Sequence, residues 1–214
     1  MRMHRSNRKL KKMTFFWKYF IRKSIFNLNE IYEYLADLYL RKDFAKKNIS
    51  LNYKASKRHE VKLVLKTIKT EDKVIFDIGS GKGAVLHLMQ NYNFRKIYGV
   101  EHDRGLFRTS IQNLSEFRDG RTEIFNINVF DTPDSVFDSV DIFYLFNPFG
   151  ERQIRDLAKR LIESQCRVMR AIDIIYTNPL HTECFSSIDN IKLIKNHTFF
   201  VSNLPTHHYQ TPDK

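Results

Sequence analysis

The sequence predicts an α/β protein with a doubly wound, mostly parallel sheet. Apolar runs typical of strands alternate with helical patterns from about residue 61 to residue 201. One run, Val74–Ile78, ends in three glycines at alternate positions, and two later runs end in Asn-Pro. Because open parallel sheets bind ligands along the carboxyl ends of their strands, we expect the functional site at these strand exits.

The first strand and its exit carry the most information. The apolar run contains one acid, Asp77, and is typical of a buried parallel strand. The glycines that follow are Gly79, Gly81 and Gly83. Glycine is required where a backbone bends sharply against a ligand, because a Cβ there would collide with it. A helical pattern resumes at Ala84, so the N–H groups at the start of this helix would face a nucleotide-type ligand.

The glycine loop fits two classes of cofactor. Gly79, Gly81 and Ala84 satisfy the Gly-x-Gly-x-x-Gly/Ala pattern of dinucleotide folds. The acid inside the strand and the third glycine resemble motif I of class I S-adenosylmethionine (SAM)-dependent methyltransferases, hydrophobic-x-Asp-x-Gly-x-Gly-x-Gly. This resemblance implies SAM as the cofactor and a seven-stranded Rossmann-like sheet with an antiparallel edge pair. It also implies that Asp77 helps fix the loop and the methionine end of SAM, while the glycines and Ser80 make room for the cofactor.

The second strand ends in an acid. The run at residues 96–103 closes on Glu101, about twenty residues beyond the glycine loop, where an acid can accept both hydroxyls of a ribose. NAD enzymes share this feature, so Glu101 predicts a nucleoside ligand without choosing the cofactor. Glu101 could instead cap the helix that starts near Asp103. His102 could pack on the adenine or have a structural role alone.

The third predicted strand, residues 122–129, ends in Asn128-Val129. Methyltransferases of the family usually have Asp and a small residue at this position, and the acid takes the adenine amino group. An Asn can accept through its carbonyl oxygen, while its amide nitrogen can donate. The resemblance therefore implies that Asn128 and Val129 contact the adenine.

The fourth predicted strand, residues 141–146, runs directly into Asn147-Pro148-Phe149. Proline cannot continue a strand ladder and forces the chain out of the sheet, which leaves Asn147 at the ligand edge. The motif resembles motif IV, Asp/Asn-Pro-Pro-Phe/Tyr, of amino-group methyltransferases. It implies that Asn147, next to the cofactor, and Pro148 orient the acceptor and that Phe149 stacks on it. This chain has one proline, and its aromatic residue comes one place early, so N- and O-methylation both stay open.

The later elements follow the same plan. Residues 151–165 have helical spacing, and residues 168–176 predict a fifth strand that exits through Asn178-Pro179. Residues 191–194 and 198–201 predict an antiparallel pair at the edge of the sheet. The resemblance to methyltransferases covers the chain from about residue 61 to residue 201.

A basic segment precedes this core and accounts for most of the net charge of +12. Residues 1–24 contain aromatic residues and no acid, and their bases are Arg2, Arg5, Arg8, Lys9, Lys11, Lys12, Lys18, Arg22 and Lys23. The pattern predicts a basic amphipathic helix that contacts an anionic membrane, contacts nucleic acid or packs on the domain. We favour packing, with Trp17 and Phe20 turned inward. A second helix is predicted at residues 30–41.

The sequence divides into a helical extension, residues 1–58, and a methyltransferase domain, residues 59–214. The loop at residues 50–58 resembles the segment that closes over the cofactor in the family. Tyr53 and Ser56 would then contact the methionine moiety or the substrate, although a plain connecting loop is the equal alternative.

Composition bounds the location and excludes some chemistry. Cys166 and Cys184 have neither metal-ligand spacing nor a disulfide framework, which predicts a reducing cytoplasm and no metal site. Lys18 and Arg22 interrupt any signal-peptide core, and no apolar stretch is long enough to span a membrane. We expect a cytoplasmic protein, with peripheral contact to the inner face of the membrane as an option.

The sequence therefore predicts a SAM-dependent methyltransferase. The favoured acceptor is an amine or hydroxyl of a small molecule or glycan. The alternatives are a methyltransferase for nucleic-acid bases and a SAM- or nucleotide-binding protein without turnover.

Overall fold

A computed structural model describes residues 56–115, 120–199 and 204–212. Its seven strands form one sheet in the order β3-β2-β1-β4-β5-β7-β6. The strands are β1 Val74–Ile78, β2 Lys96–Val100, β3 Thr122–Phe125, β4 Ile142–Phe146, β5 Asp173–Thr177, β6 Lys192–His197 and β7 Thr206–Gln210. Strands β1 to β5 pair in parallel, whereas β7 is antiparallel to both β5 and β6. This architecture confirms the predicted fold class.

Helices cover both faces of the sheet. They are α1 Arg58–Leu65, α2 Ala84–Met89, α3 Arg104–Asn113, α4 Asp134–Ser139, α5 Glu151–Val168 and α6 Glu183–Ser186. Successive residues of β1 pack into different cores: Ile75 joins the core with α1 and α2, while Phe76 joins the core with α4, α5 and α6. Because side chains alternate across a strand, a strand buried on both faces must be apolar at nearly every position. Asp77, which is also buried, is the exception within β1.

Two predicted boundaries were wrong. The third strand ends at Phe125 rather than residue 129, and a short 3-10 helix, Val129–Asp131, follows the connecting loop. Helix α5 continues to Val168, so the fifth strand begins at Asp173 rather than residue 168. Val168 is apolar and 44% exposed in the last helical turn. An exposed β-branched residue next to a strand lengthens the apparent strand pattern, which explains the second error.

The antiparallel edge pair exists, but its second member was wrongly assigned. Strand β6 pairs with Thr206–Gln210, while Thr198 and Phe199 of the predicted partner lie outside any strand. The sequence of β7 is Thr-His-His-Tyr-Gln, which lacks an apolar run. Its place between β5 and β6 is supported by the buried ring of Tyr209 and by a 2.7 Å contact between His208 Nε2 and Asp173 Oδ1.

The predicted basic helix, the helix at residues 30–41, Tyr53 and most of the proposed extension lie outside the described residues. The division of the chain at residue 58 therefore stays a prediction. In the part of the chain that is described, no helix combines the length and apolar character that crossing a membrane requires.

Candidate active site at the carboxyl edge of the sheet

A cavity of about 770 Å³ lies at the carboxyl ends of the parallel strands. On one side it is lined by the predicted residues Asp77, Gly79, Ser80, Glu101, His102, Asn128 and Val129. On the other side it is lined by Ser56, Asn147, Pro148 and Phe149. The fold thus brings together residues from four strand exits and from the segment before α1.

The three glycines of the β1 exit all have left-handed backbone, with φ values of 76° at Gly79, 55° at Gly81 and 80° at Gly83. Packing also limits two of them. A Cβ on Gly79 would lie 3.1 Å from Pro148 Cβ, and a Cβ on Gly83 would lie 3.1 Å from Ser110 Cβ. Glycine is therefore needed for both conformation and close approach. Gly79 lines the cavity, whereas Gly83 supports the loop from behind.

Glu101 holds the glycine loop against β2. Its Oε2 accepts a hydrogen bond from the main-chain N–H of Gly81 at 2.9 Å, and its Oε1 accepts from the N–H of Asp103 at 2.8 Å. Asp103 itself caps α3 by accepting from the N–H of Leu106. Glu101 is buried, with 7% of its surface exposed, yet it still lines the cavity. The contact of Glu101 with ribose stays a prediction. Its hydrogen bond to the glycine loop gives it a structural role as well.

Asp77 is buried beneath the cavity. Burial, followed by the nearby Glu101 carboxylate, raises the pKa of Asp77 to about 8. Among the described residues, no group hydrogen-bonds to its Oδ2. A buried carboxyl oxygen without a partner is costly, and a cationic ligand would both supply a partner and favour the ionised form.

Asn147 begins the exit of β4 and has a φ of 38°, while Asn178 after β5 has a φ of 51°. Both side chains line the cavity. The Oδ1 atom of Asn147 accepts a hydrogen bond from the hydroxyl of Tyr176 at 2.8 Å. Asn tolerates left-handed backbone better than most residues, so these exits can present a polar side chain where a glycine could not.

The remaining predicted residues have partners of their own. The Oδ1 of Asn128 accepts from the N–H of Phe130 and caps the short 3-10 helix, so the oxygen expected to face adenine already has one bond. The ring of Phe149 packs at 6.0 Å from that of Phe130. The side chain of His102 is 80% exposed. Their predicted contacts with cofactor or acceptor stay predictions.

Ser56 joins the segment before α1 to the centre of the sheet. Its hydroxyl lies 2.6 Å from the hydroxyl of Tyr144 on β4, and both residues line the cavity. Burial raises the pKa of Tyr144 above its usual value, so this phenol stays protonated at neutral pH. Ser56 therefore has a structural contact with Tyr144. Its contact with the methionine moiety or the substrate stays a prediction.

Sequence reasoning did not single out Tyr176, Tyr144 or Gln153. The two tyrosines lie inside apolar strands, where an aromatic residue indicates core packing. Gln153 lies in the first turn of α5 and lines the cavity, but a polar residue there is common in any exposed helix. The only signal in the sequence for a role of Gln153 in the site was its position shortly after the Asn147-Pro148 exit.

No family model matches the chain, and no curated protein matches it in sequence. Solved structures do match its fold. An RNA methyltransferase from Salinibacter ruber in complex with S-adenosyl-L-homocysteine is 14% identical, with a TM-score of 0.57 over 76% of this chain and 95% of its own. Precorrin-6y C5,15-methyltransferase from Geobacter metallireducens is also 14% identical, with a TM-score of 0.58 over 76% of this chain and 92% of its own.

Ribosomal protein L11 methylase from Lactobacillus delbrueckii is 8% identical, with a TM-score of 0.55 over 71% of this chain and 76% of its own. These three proteins have different acceptors by name, and the identities are low, so the similarity concerns the fold. It agrees with the resemblance in motif I and with the order of the seven strands. The chain has the Rossmann-like fold of class I SAM-dependent methyltransferases.

Proposed function

We propose that this protein is a SAM-dependent methyltransferase that modifies a base in RNA. One observation carries the proposal. A single cavity joins the glycine loop and the buried acid of β1 to the Asn-Pro exit of β4. The first part suits a nucleoside cofactor, and the second offers an oriented polar group for an acceptor.

The residues of the β1 and β2 exits fit SAM on physical grounds. SAM has a positively charged sulfonium and an α-ammonium group, and Asp77 is a buried carboxyl with an unpartnered oxygen among the described residues. Gly79 of the loop lines the cavity, so its backbone is exposed to a ligand there. The residues that would hold the cofactor are Asp77, Gly79, Ser80, Glu101, Asn128 and Val129. When bound, SAM supplies an electrophilic methyl group.

The chain's own contribution is positioning. Methyl transfer is an in-line displacement, so its rate depends on holding the acceptor atom in line with the methyl group. Asn147 can fix the acceptor through a hydrogen bond, and Pro148 fixes the backbone that follows it. Phe149, which lines the cavity, offers an apolar ring face to a planar acceptor.

Basic residues at the rim of the cavity, outside the carboxyl groups that line its interior, favour a polyanionic acceptor. Lys82 lines the cavity, while Arg104 and Arg152 are exposed in the first turns of α3 and α5, the two helices that begin at its rim. The whole chain has a net charge of +12. Basic groups beside a cavity attract the phosphates of nucleic acid before any base is recognised.

The similar structures do not favour a small-molecule or glycan acceptor. One of them is a precorrin methyltransferase, but three, including that from Salinibacter ruber, are described as RNA or tRNA methyltransferases, two of these as putative. We therefore take the nucleic-acid alternative as the proposal. RNA is favoured over DNA by these descriptions alone.

The test is methyl transfer from tritium-labelled SAM to separated fractions of total RNA, DNA, protein and small molecules. We expect label in RNA, and we expect the Asn147→Gly variant, matched in SAM binding by calorimetry, to label it poorly. Label in another fraction would replace the proposed acceptor. Tight SAM binding with no labelled fraction would support a binding protein without turnover, and tight NAD binding without SAM binding would refute the cofactor.

A further inference from the structure

Tyr176 contacts the residue that is proposed to orient the acceptor. It lies on β5 beside β4, its side chain is fully buried, and its hydroxyl lies 2.8 Å from Asn147 Oδ1. Building on the proposed function, we propose that Tyr176 is a positioning residue that makes Asn147 a hydrogen-bond donor to the acceptor base. The base would then be one that presents a carbonyl oxygen beside the methylated ring nitrogen.

The direction of the hydrogen bond is set by the two groups that meet. The hydroxyl of Tyr176 is the donor, and Asn147 Oδ1 is the acceptor. An amide oxygen can only accept, so the proton of the contact must come from the phenol. Burial raises the pKa of Tyr176 to about 12, so this proton is present at neutral pH.

The orientation of the amide has a consequence for the acceptor. With Oδ1 bound to Tyr176, the Nδ2 group is the part of the Asn147 side chain left to meet a ligand in the cavity that it lines. Nδ2 has two N–H donors and no lone pair to accept a proton, so its partner must be an acceptor atom. Tyr176 occupies one of the two lone pairs of Oδ1, so an exocyclic amine would have to share this oxygen, while both N–H donors of Nδ2 stay open to a carbonyl. The carbonyl groups of guanine, uracil and cytosine meet the requirement, and adenine has none.

The reaction balances for such a base. The ring nitrogen forms the new N–C bond with its electron pair, while the electron pair of the breaking S–C bond stays on sulfur, and the sulfonium becomes a thioether. At N7 of guanine the product keeps the positive charge, and no proton needs to leave. At N1 of guanine or N3 of uracil the proton on nitrogen passes to water. The hydrogen bond from Asn147 would hold the neighbouring carbonyl during the transfer.

The first experiment identifies the product. RNA methylated by the purified protein is digested to nucleosides, which are separated and compared with standards by mass spectrometry. We expect a guanosine, uridine or cytidine that is methylated on a ring nitrogen. N6-methyladenosine, N4-methylcytidine or N2-methylguanosine would overturn the inference while leaving the methyltransferase proposal intact.

The second experiment compares two tyrosine variants. Tyr176 and Tyr209 are both buried and pack on opposite sides of Phe185, with ring centroids at 5.7 and 5.3 Å from it. The hydroxyl of Tyr209 bonds instead to His207. Tyr176→Phe should lower kcat roughly tenfold with an unchanged dissociation constant for SAM, because one oriented hydrogen bond is lost. Tyr209→Phe should leave kcat unchanged, and equal kcat values for the two variants would refute a positioning role.

The third experiment does not depend on turnover, so it separates failure of this inference from failure of the proposed function. In ¹⁵N-labelled protein saturated with S-adenosylhomocysteine, the side-chain amide signals of Asn147 are assigned by their loss in Asn147→Asp. We expect guanosine or uridine monophosphate to shift these signals more than adenosine monophosphate, which has no carbonyl group, does. Tyr176→Phe should reduce this preference. No shift with any nucleotide, or a stronger shift with the amino-bearing adenosine monophosphate, would overturn the inference.

Discussion

The two sides of the cavity reach left-handed backbone through different residues. The β1 exit uses Gly79, Gly81 and Gly83, whereas the β4 and β5 exits use Asn147 and Asn178. At Gly79 and Gly83 a Cβ would press on a neighbouring side chain. At the asparagines the side chains enter the cavity. A strand exit where a neighbouring side chain packs against the backbone thus has glycine, while one that presents a polar group has the larger residue that best tolerates this conformation.

The two sides also differ in charge. The glycine side contains the carboxyl groups of Asp77 and Glu101, and the pKa of Asp77 is raised by burial and by Glu101. The asparagine side offers neutral amide groups, from Asn147 and Asn178. This difference is what a cationic cofactor beside a neutral base would require. Each prediction below tests one part of that distinction, starting with the largest effect.

Replacing Gly81 with valine should abolish SAM binding, with an affinity loss of at least about a hundredfold. Gly81 has a φ of 55°, which costs a side-chain-bearing residue roughly 1–2 kcal/mol, and its N–H bonds to Glu101. Calorimetry with SAM measures the effect. Gly120→Val is the matched control, because Gly120 has a φ of 75° and open space around it. Equal SAM binding by the two variants would show that the glycine side has no special role.

Replacing Asn147 with glycine should lower turnover on the order of a hundredfold while leaving SAM affinity unchanged. Glycine keeps the left-handed backbone available, so the loss reports on the side chain. Asn178→Gly, at the neighbouring exit, should reduce turnover less, because in the described structure only Asn147 is held by Tyr176. Steady-state rates and calorimetry separate the two effects. A parallel loss of SAM affinity in Asn147→Gly would assign Asn147 to the cofactor side.

SAM affinity should rise as the pH increases through about 8, the pKa of Asp77. Between pH 7 and pH 9 the ionised fraction of such a group grows roughly tenfold, and the ionised form attracts the cationic cofactor. Binding below pH 8 should release a proton, which calorimetry in buffers of different ionisation enthalpy detects. Asp77→Asn should flatten the pH profile. A profile that is unchanged in this variant would exclude Asp77 as the cause.

The smallest expected effect is on the ligand-free protein. The folded pKa of Asp77, about 8, is higher than the ordinary value of 3.8 for an aspartate, so the folded state retains a proton that the unfolded state loses. The stabilisation is complete below the unfolded pKa and is lost as the pH rises through about 8. Thermal unfolding from pH 5 to pH 9 should show this loss, and saturating SAM should reduce it. Asp77→Asn should remove the pH dependence that is due to this group.

Much of the glycine side of the cavity was predictable from the sequence because its residues are close together along the chain. The acid and the three glycines occupy residues 77–83, and their spacing alone indicated the strand, the turn and the helix. Glu101 was also found, since an acid at the next strand end has a fixed geometric relation to the loop. Its hydrogen bond to Gly81 was not predicted, because it depends on how the two exits meet.

The asparagine side of the cavity was only partly predictable. Asn147-Pro148 was visible as a strand exit, but Tyr176 is 29 residues further along the chain and reads as an ordinary core residue. Strand β7 was missed for a related reason. Its polar sequence becomes a strand because it fills the space between β5 and β6, where Tyr209 is buried and His208 contacts Asp173. Pairing partners, rather than intrinsic propensity, decide such a strand.

The sequence by itself determined the order of the five parallel strands, the glycine turn and the positions of the two Asn-Pro exits. These depend on local preferences of glycine, proline and apolar runs. The tertiary structure alone decided that Asp77 is buried without a partner for Oδ2 among the described residues and that Tyr176 holds the oxygen of Asn147. Burial and the direction of a hydrogen bond depend on segments that are distant in the sequence and that together exclude water. A local sequence pattern therefore does not predict them.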